Sequence, residues 1–279
     1  MPGAARARGH GSGHASARAI MRFGLMLIPG ILLTSPCIAQ MPATGFLDRE
    51  LSVAGTTHRY QVYLPPDYNP ARAWRVILFL HGAGERGADG ILPTEVGIGT
   101  ALRRHRERYP AIVVFPQAPL ESRWSQTAEP IAMAALDSTM AQFHADSSRI
   151  YLAGLSLGGN GALALASRHP DRFAALVVIC GWVTHIGRHP GIFPESHPDP
   201  HGELARRIAH LPIQVFHGDA DPIVPVDQSR LLVAALQAAG ADVQYTELPG
   251  VGHGAWDAAF QSTELPGWLL RQRRRSPGN

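Results

Sequence analysis

Six short apolar runs, at 76–80, 112–115, 150–153, 176–180, 213–216 and 243–248, limit what this chain can fold into more than any other feature. The first four are too continuous for a half-exposed strand, in which apolar and polar residues alternate. Between them lie stretches of helical period, at 131–143, 161–167, 229–239 and 255–270. Buried strands alternating with helices predict an α/β fold with a mostly parallel central sheet and helices on both faces. Ahead of this region, residues 46–53 and 58–64 alternate around Gly55 in the manner of an N-terminal hairpin. No linker, repeat or low-complexity tract follows Gln40, so residues 40–279 read as one domain. At 279 residues and 45% hydrophobic content, the chain can bury a full core.

In sheets of this kind, chemistry gathers on the loops at the carboxyl ends of the strands. The run at 150–153 leads into Gly154-Leu155-Ser156-Leu157-Gly158-Gly159, and a helix-forming stretch follows. This is a G-x-S-x-G pattern set between a strand and a helix. A serine on so tight a turn sits at strained angles, and glycine at the flanking positions lets the backbone close. The turn lifts the hydroxyl out of the sheet, and the helix start leaves free N–H groups for a developing anion. A second loop, His81-Gly82-Ala83-Gly84, follows the run at 76–80. A glycine-rich turn there supplies the other oxyanion donor, so the backbone N–H groups of Ala83 and Leu157 are the expected pair. His81 lies too early in the chain for the catalytic base and reads as a residue that orients its own loop.

A serine nucleophile needs a base, and the base an orienting carboxylate. Position must choose among 14 histidines. His253, in Gly250-Val251-Gly252-His253-Gly254, follows the sixth run and precedes the last helical stretch. The carboxylate candidates, Asp219 and Asp221, follow the fifth run in His217-Gly218-Asp219-Ala220-Asp221-Pro222-Ile223-Val224-Pro225. Serine, aspartate and histidine thus fall on successive strand ends, in the chain order of an α/β-hydrolase.

The chain resembles α/β-hydrolase serine esterases of the secreted predicted-peptidase, feruloyl-esterase and dienelactone-hydrolase-like branch, near the prolyl oligopeptidases. The residues that carry the likeness are 80–87 (LHGAGERG), 149–159 (RIYLAGLSLGG), 217–225 (HGDADPIVP) and 252–256 (GHGAW). The resemblance implies an α/β-hydrolase fold and places the acid three residues before the Val-Pro pair, on Asp221, with Asp219 as the alternate. It also implies a Ser156, Asp221, His253 triad acting through an acyl-enzyme, with no metal or organic cofactor. The nucleophile here is Ser156, where dienelactone hydrolases use cysteine, which favours general ester hydrolysis over the lactone reaction. The implied partner is a small-molecule or polymeric ester. A prolyl-oligopeptidase-like peptidase acting on short peptides is the first alternative, although 279 residues leave little room for that group's gating domain. A non-catalytic binding protein on the same scaffold is the second; such a protein would be expected to have lost a triad member.

Composition narrows the chemistry further. All 25 basic residues counted as Lys or Arg are arginine, which excludes lysine Schiff bases, lysine phosphate loops and Ser–Lys dyads. Removing Arg6, Arg8, Arg18 and Arg22 takes the formal charge from +3 to −1, so no nucleic-acid-binding face is expected. Residues 1–39 read as a signal peptide: Arg22 precedes an apolar run at 23–33, and Cys37-Ile38-Ala39 offers a small-residue cleavage site. The run is too short to span a bilayer, and Met21 is a second candidate start. A secreted or periplasmic location follows. Cys37 also suggests a lipoprotein, against which Pro36 counts. Cys180 would then be the sole cysteine of the mature protein, a buried thiol without a disulfide.

Other signals are weaker. Trp124 and Trp182 are candidates for a substrate-binding wall, and Trp256 for packing under the His253 loop. His185, His189, His197 and His201 with Glu195 and Asp199 lack metal-ligand spacing, so 181–201 reads as a proline-rich surface loop forming a lid or pocket wall. Glu85 and Arg86 could pair or face water. Arg271 and Arg273 to Arg275 follow the last apolar pattern and read as a frayed tail.

Overall fold

The computed structural model describes residues 43–274. The expected signal segment, with Met21 and Cys37, lies outside the described residues, as does Arg275.

A hairpin of β1 (Gly45–Val53) and β2 (Thr56–Leu64) leads the chain. Its turn places Ala54 and Gly55 at φ of 50° and 80°, the paired positive angles of a two-residue hairpin loop. Then follow β3 (Trp74–Leu80), α1 (Ile98–His105), β4 (Ile112–Pro116), α2 (Glu129–Gln142), β5 (Ala145–Leu155), α3 (Leu157–Arg168) and β6 (Ala175–Ile179). The remainder is α4 (Pro200–Ile208), β7 (Ile213–Gly218), α5 (Asp227–Ala238), β8 (Val243–Leu248), α6 (Ala255–Gln261) and α7 (Glu264–Arg271). One eight-stranded sheet runs β1-β2-β4-β3-β5-β6-β7-β8. The hairpin joins it antiparallel through β2 and β4; every other pair from β4 to β8 is parallel.

The first four apolar runs are continuous because of what covers the sheet, whereas the sixth, β8, alternates half-buried and exposed positions at the sheet edge. Side chains alternate between faces along a strand, so a strand buried on both faces has no polar positions to spare. Val76, Leu78, Val114, Leu152 and Val178 join Ile131, Leu136, Leu163, Leu204 and Leu232 of α2 to α5 on one face. Ile77, Phe79, Phe115, Ala153 and Ile179 meet Ile98, Leu102, Phe260, Leu265 and Leu269 of α1, α6 and α7 on the other. Each large apolar side chain so enclosed contributes about 1.5–3 kcal/mol over its exposed state.

Several elements differ from expectation for local reasons. The stretch at 255–270 is two helices, because Pro266 has no N–H and its ring would strike the carbonyl of Ser262 in a continuous helix. Strand β5 starts five residues before its apolar run, along the polar Ala145–Arg149 half that the run did not mark. Helices α1 and α4 were not anticipated; each buries only one narrow stripe, Ile98, Ala101 and Leu102 in α1 and Leu204, Ala205 and Ile208 in α4. The basic C-terminal stretch is docked rather than frayed as far as Arg274. Its backbone N–H donates to the Ser148 carbonyl at 2.8 Å, the Arg273 guanidinium reaches Ser148 Oγ at 3.0 Å, and Tyr151 donates its hydroxyl to the Gln272 carbonyl at 3.0 Å. Among the described residues no helix is long and apolar enough to cross a membrane.

Candidate active site

Because β3 and β5 to β8 are parallel, their carboxyl ends lie on one edge of the sheet, and the loops singled out in the sequence all emerge there. Ser156 joins β5 to α3 at φ 51°, ψ −116°, a conformation costing a non-glycine residue roughly 1–3 kcal/mol. A serine before a helix usually caps it, yet here the side chain makes no capping bond, which leaves Oγ free for another partner. The flanking glycines are required by contact. A Cβ on Gly154 would lie 2.1 Å from the Gly158 carbonyl oxygen, and one on Gly158 would lie 1.9 Å from that of Leu80. The main-chain hydrogen bond from Ser156 N–H to the Ile179 carbonyl, at 2.9 Å, ties the turn to the end of β6.

Ser156, His253 and Asp221 form one hydrogen-bonded chain. Ser156 Oγ lies 2.9 Å from His253 Nε2, and His253 Nδ1 lies 2.7 Å from Asp221 Oδ2. The carboxylate of Asp221 is fully enclosed. Burial alone would raise its pKa, but the bond from His253 and the N–H groups of Val224 and Ile223 hold it below the usual value. Those two N–H groups reach Oδ1 at 3.0 and 2.8 Å. Asp219 is elsewhere: exposed, it accepts the Gly250 N–H at 2.6 Å and so braces the loop that carries His253.

A second imidazole attends Asp221. His217, fully buried, sets Nε2 3.2 Å from Asp221 Oδ2 and 3.0 Å from the Val224 carbonyl, while Nδ1 faces Ser229 Oγ at 2.7 Å. Burial lowers its pKa, so the ring is neutral, with Nε2–H donating and Nδ1 accepting from the serine hydroxyl. Nothing in the spacing marked His217 for this position beyond its place at the head of the aspartate loop. Cys180, at φ 41°, donates its thiol to the His253 carbonyl at 3.6 Å, and burial pushes its pKa up, which keeps it a protonated brace. Cys180, Asp221 and His253 are the one group among the described residues close enough to share a metal ion, and each is already engaged in these internal bonds.

The serine opens into a pocket of about 340 Å³ lined by Gly82, Ala83, Leu157, Trp182, Ile186 and Trp256, among others. Ala83 and Leu157 thus stand beside Ser156, and among the described residues no acceptor takes either N–H. His81 lies behind this loop, buried, with Nε2 accepting the Ala118 N–H at 3.0 Å and Nδ1 2.6 Å from the Gly82 carbonyl. Burial pushes its pKa down to about 4. Arg86 does not pair with Glu85; its Nε donates to the Ala83 carbonyl at 3.0 Å, while Glu85 lines the pocket.

Trp124 does not line this pocket. Wholly enclosed, it donates Nε1–H to the His81 carbonyl at 3.0 Å and packs where Gly161 has no side chain, so it supports the 81–84 loop from within the core. Trp182 does line it, anchored by a 3.0 Å bond from Nε1 to the Pro190 carbonyl. Trp256 meets the His253 ring edge-on at 5.4 Å. The 181–201 segment forms a wall through Trp182, Ile186 and His189, and Gln228 of α5 latches it by accepting the N–H groups of Val183 and Thr184 and donating to Thr184 Oγ1.

A mostly parallel sheet in this order, led by an antiparallel hairpin and carrying a serine on the turn after its central strand, is the α/β-hydrolase fold. Within that class the chain belongs to the prolyl oligopeptidase family, whose model matches residues 122–266; the Esterase family model matches residues 52–187. Feruloyl esterase B of Neurospora crassa is 26% identical over 61% of this chain and 65% of its own length. Carboxylesterase SOBER1 of Arabidopsis thaliana is 24% identical over 72% of this chain and 91% of its own. Among solved structures, a thermostable esterase superposes with a TM-score of 0.69 at 31% identity, covering 82% of this chain and 63% of that one. The chain therefore spans less than two thirds of the length of two of these three relatives.

Proposed function

We propose that this protein is a serine hydrolase of carboxylic esters, with Ser156 as nucleophile, His253 as general base and acid, and Asp221 as the orienting carboxylate. The single observation that carries this reading is the unbroken bond chain from Asp221 Oδ2 through His253 to Ser156 Oγ, at 2.7 and 2.9 Å, at the floor of an open apolar pocket. His253 takes the Ser156 proton as Oγ attacks the ester carbonyl, and the N–H groups of Ala83 and Leu157 receive the negative charge that develops on oxygen. His253 then protonates the departing alcohol, leaving an acyl-serine. Water, deprotonated by the same imidazole, releases the acid. Asp221 holds Nδ1–H so that Nε2 faces the serine, and it stabilises the imidazolium. Trp182 and Trp256 supply an aromatic wall for the substrate. The signal-like segment 1–39 supports export.

The family match favours a second reading, hydrolysis of short peptides. One experiment separates the two: p-nitrophenyl esters of rising chain length, methyl ferulate and proline anilides, each assayed with the wild type and with Ser156→Ala. The expected outcome is ester turnover that falls at least ~10⁴-fold in the variant. Anilide turnover without ester turnover overturns the ester reading, and full activity in Ser156→Ala overturns the mechanism.

A further inference from the structure

One wall of the pocket is backed by guanidinium groups that the ester chemistry above does not use. His189, on the 181–201 segment, lines the pocket beside Trp182, with the two rings 5.7 Å apart. The Arg123 guanidinium lies 3.2 Å from His189 Nδ1. A guanidinium can only donate, so Nδ1 accepts and the ring is neutral with its proton on Nε2. The main-chain bonds exchanged between Ile186 and His189, at 3.0 and 2.8 Å, fix the turn that presents this ring. Burial and the fields of Arg123, Arg188 and Arg86 all lower the pKa of His189, and no carboxylate contributes there.

None of these three guanidiniums has an ion-pair partner among the described residues. Arg86 bonds the Ala83 carbonyl and Arg123 bonds a neutral imidazole, so neither charge is neutralised by what it touches. Glu85, the one carboxylate lining the pocket, has its pKa raised by burial and is drawn back by the N–H groups of its own residue and of Gly82. Arg86 and Arg123 are half-buried, which makes an unpaired charge costlier than on an open surface. A bound anion would relieve that cost.

Resting on the ester-hydrolase reading, we propose that the Arg123–His189 pair, in the field of Arg86 and Arg188, is a specificity site for a carboxylate on the substrate. The favoured substrate class is then an ester bearing a free carboxylate away from the scissile bond. Arg123 supplies the charge and fixes the His189 tautomer, and His189 Nε2–H is a second donor for the anion.

Matched ester pairs test this. Monoethyl adipate against ethyl pentanoate places the carboxylate on the acyl side; 4-carboxyphenyl butyrate against phenyl butyrate places it on the alcohol side. In wild type, kcat/KM for the anionic member of one pair should exceed that for its neutral partner by roughly tenfold, the scale of one charge-assisted hydrogen bond. Arg123→Gln should bring the ratio near one, Arg123→Lys should restore part of it, and the exposed variant Arg188→Gln should lower it less. Arg59→Gln, in an exposed ion pair with Glu50, should leave the ratio unchanged. Half-molar sodium chloride should shrink the preference in wild type. Ester turnover without anionic preference in either pair overturns the carboxylate site and leaves the ester reading standing. A preference that survives in both Arg123→Gln and Arg188→Gln also overturns it, and no turnover of any ester overturns both.

Discussion

Two aspartates two residues apart on the loop after β7 face different partners. Asp221 is enclosed and bonded to His253, whereas Asp219 is exposed and holds the Gly250 N–H. Replacing Asp221 by Asn keeps the shape but puts an amide donor opposite His253 Nδ1, which favours the wrong tautomer for accepting the serine proton. We expect Asp221→Asn to lower kcat by about ten-thousandfold. Asp219→Asn keeps an oxygen for Gly250 and should lose less than about tenfold, the effect of one modest hydrogen bond. Steady-state kinetics on a p-nitrophenyl ester checks both, and a larger loss in Asp219→Asn would reverse the assignment. Ser156 and His253 were legible as candidates because a tight turn or a strand end selects one residue each. The order of strand ends left two aspartates open; the family resemblance favoured Asp221, and three-dimensional contact sets that residue, not Asp219, against His253. Trp124 was misjudged for a related reason: an aromatic residue after a strand end can face the pocket or the core, and spacing does not say which.

At the scale of elements, β3 to β7 were legible because burial on two faces leaves a largely apolar run, and α2, α3 and α5 because they cover the sheet broadly. Helices α1 and α4 were not: eight or nine residues, each basic in its last turn, hide a stripe of three buried side chains. Asp199, which accepts the Gly202 N–H at 3.0 Å just before Pro200, was the one local sign of where α4 begins. The β5–α3 junction shows how closely elements must approach for the site to exist. With Gly158 against the Leu80 carbonyl, Gly158→Ala forces β3 and α3 apart, because the atom it meets is main chain and cannot rotate away. The expected cost is about 3 kcal/mol in urea unfolding. Gly84→Ala, where a Cβ would meet nothing within 4 Å, should change stability by less than about 0.5 kcal/mol. Equal losses in the two variants would show that close approach at Gly158 is not what the turn requires.

For the molecule as a whole, the site depends on histidines that the fold keeps uncharged. His81 holds the 81–84 loop and His217 steadies Asp221, and burial lowers the pKa of both, His81 to about 4. Above pH 6.5 the ring of His81 is neutral in the folded and unfolded chain alike, so it contributes no pH dependence. As pH falls from 6.5 towards 4, the unfolded chain takes up a proton that the folded chain refuses, and stability drops; below 4 both forms bind it and the loss levels off. For His81 the full loss is about 3 kcal/mol, and His217 adds to it in the same direction. Asp221 acts at lower pH through a shift of the same sign. Its depressed folded pKa contributes stability above the ordinary carboxylate range, lost only as pH falls through that folded value. Acid unfolding should therefore begin well above the carboxylate range, between pH 6.5 and 4. His81→Gln keeps an acceptor for the Ala118 N–H without a titrating ring. It should be less stable than wild type at pH 7.5 yet lose less stability between pH 6.5 and 4. Thermal midpoints across that range would show a shallower slope for the variant; parallel slopes would mean that His81 takes no part in the acid response.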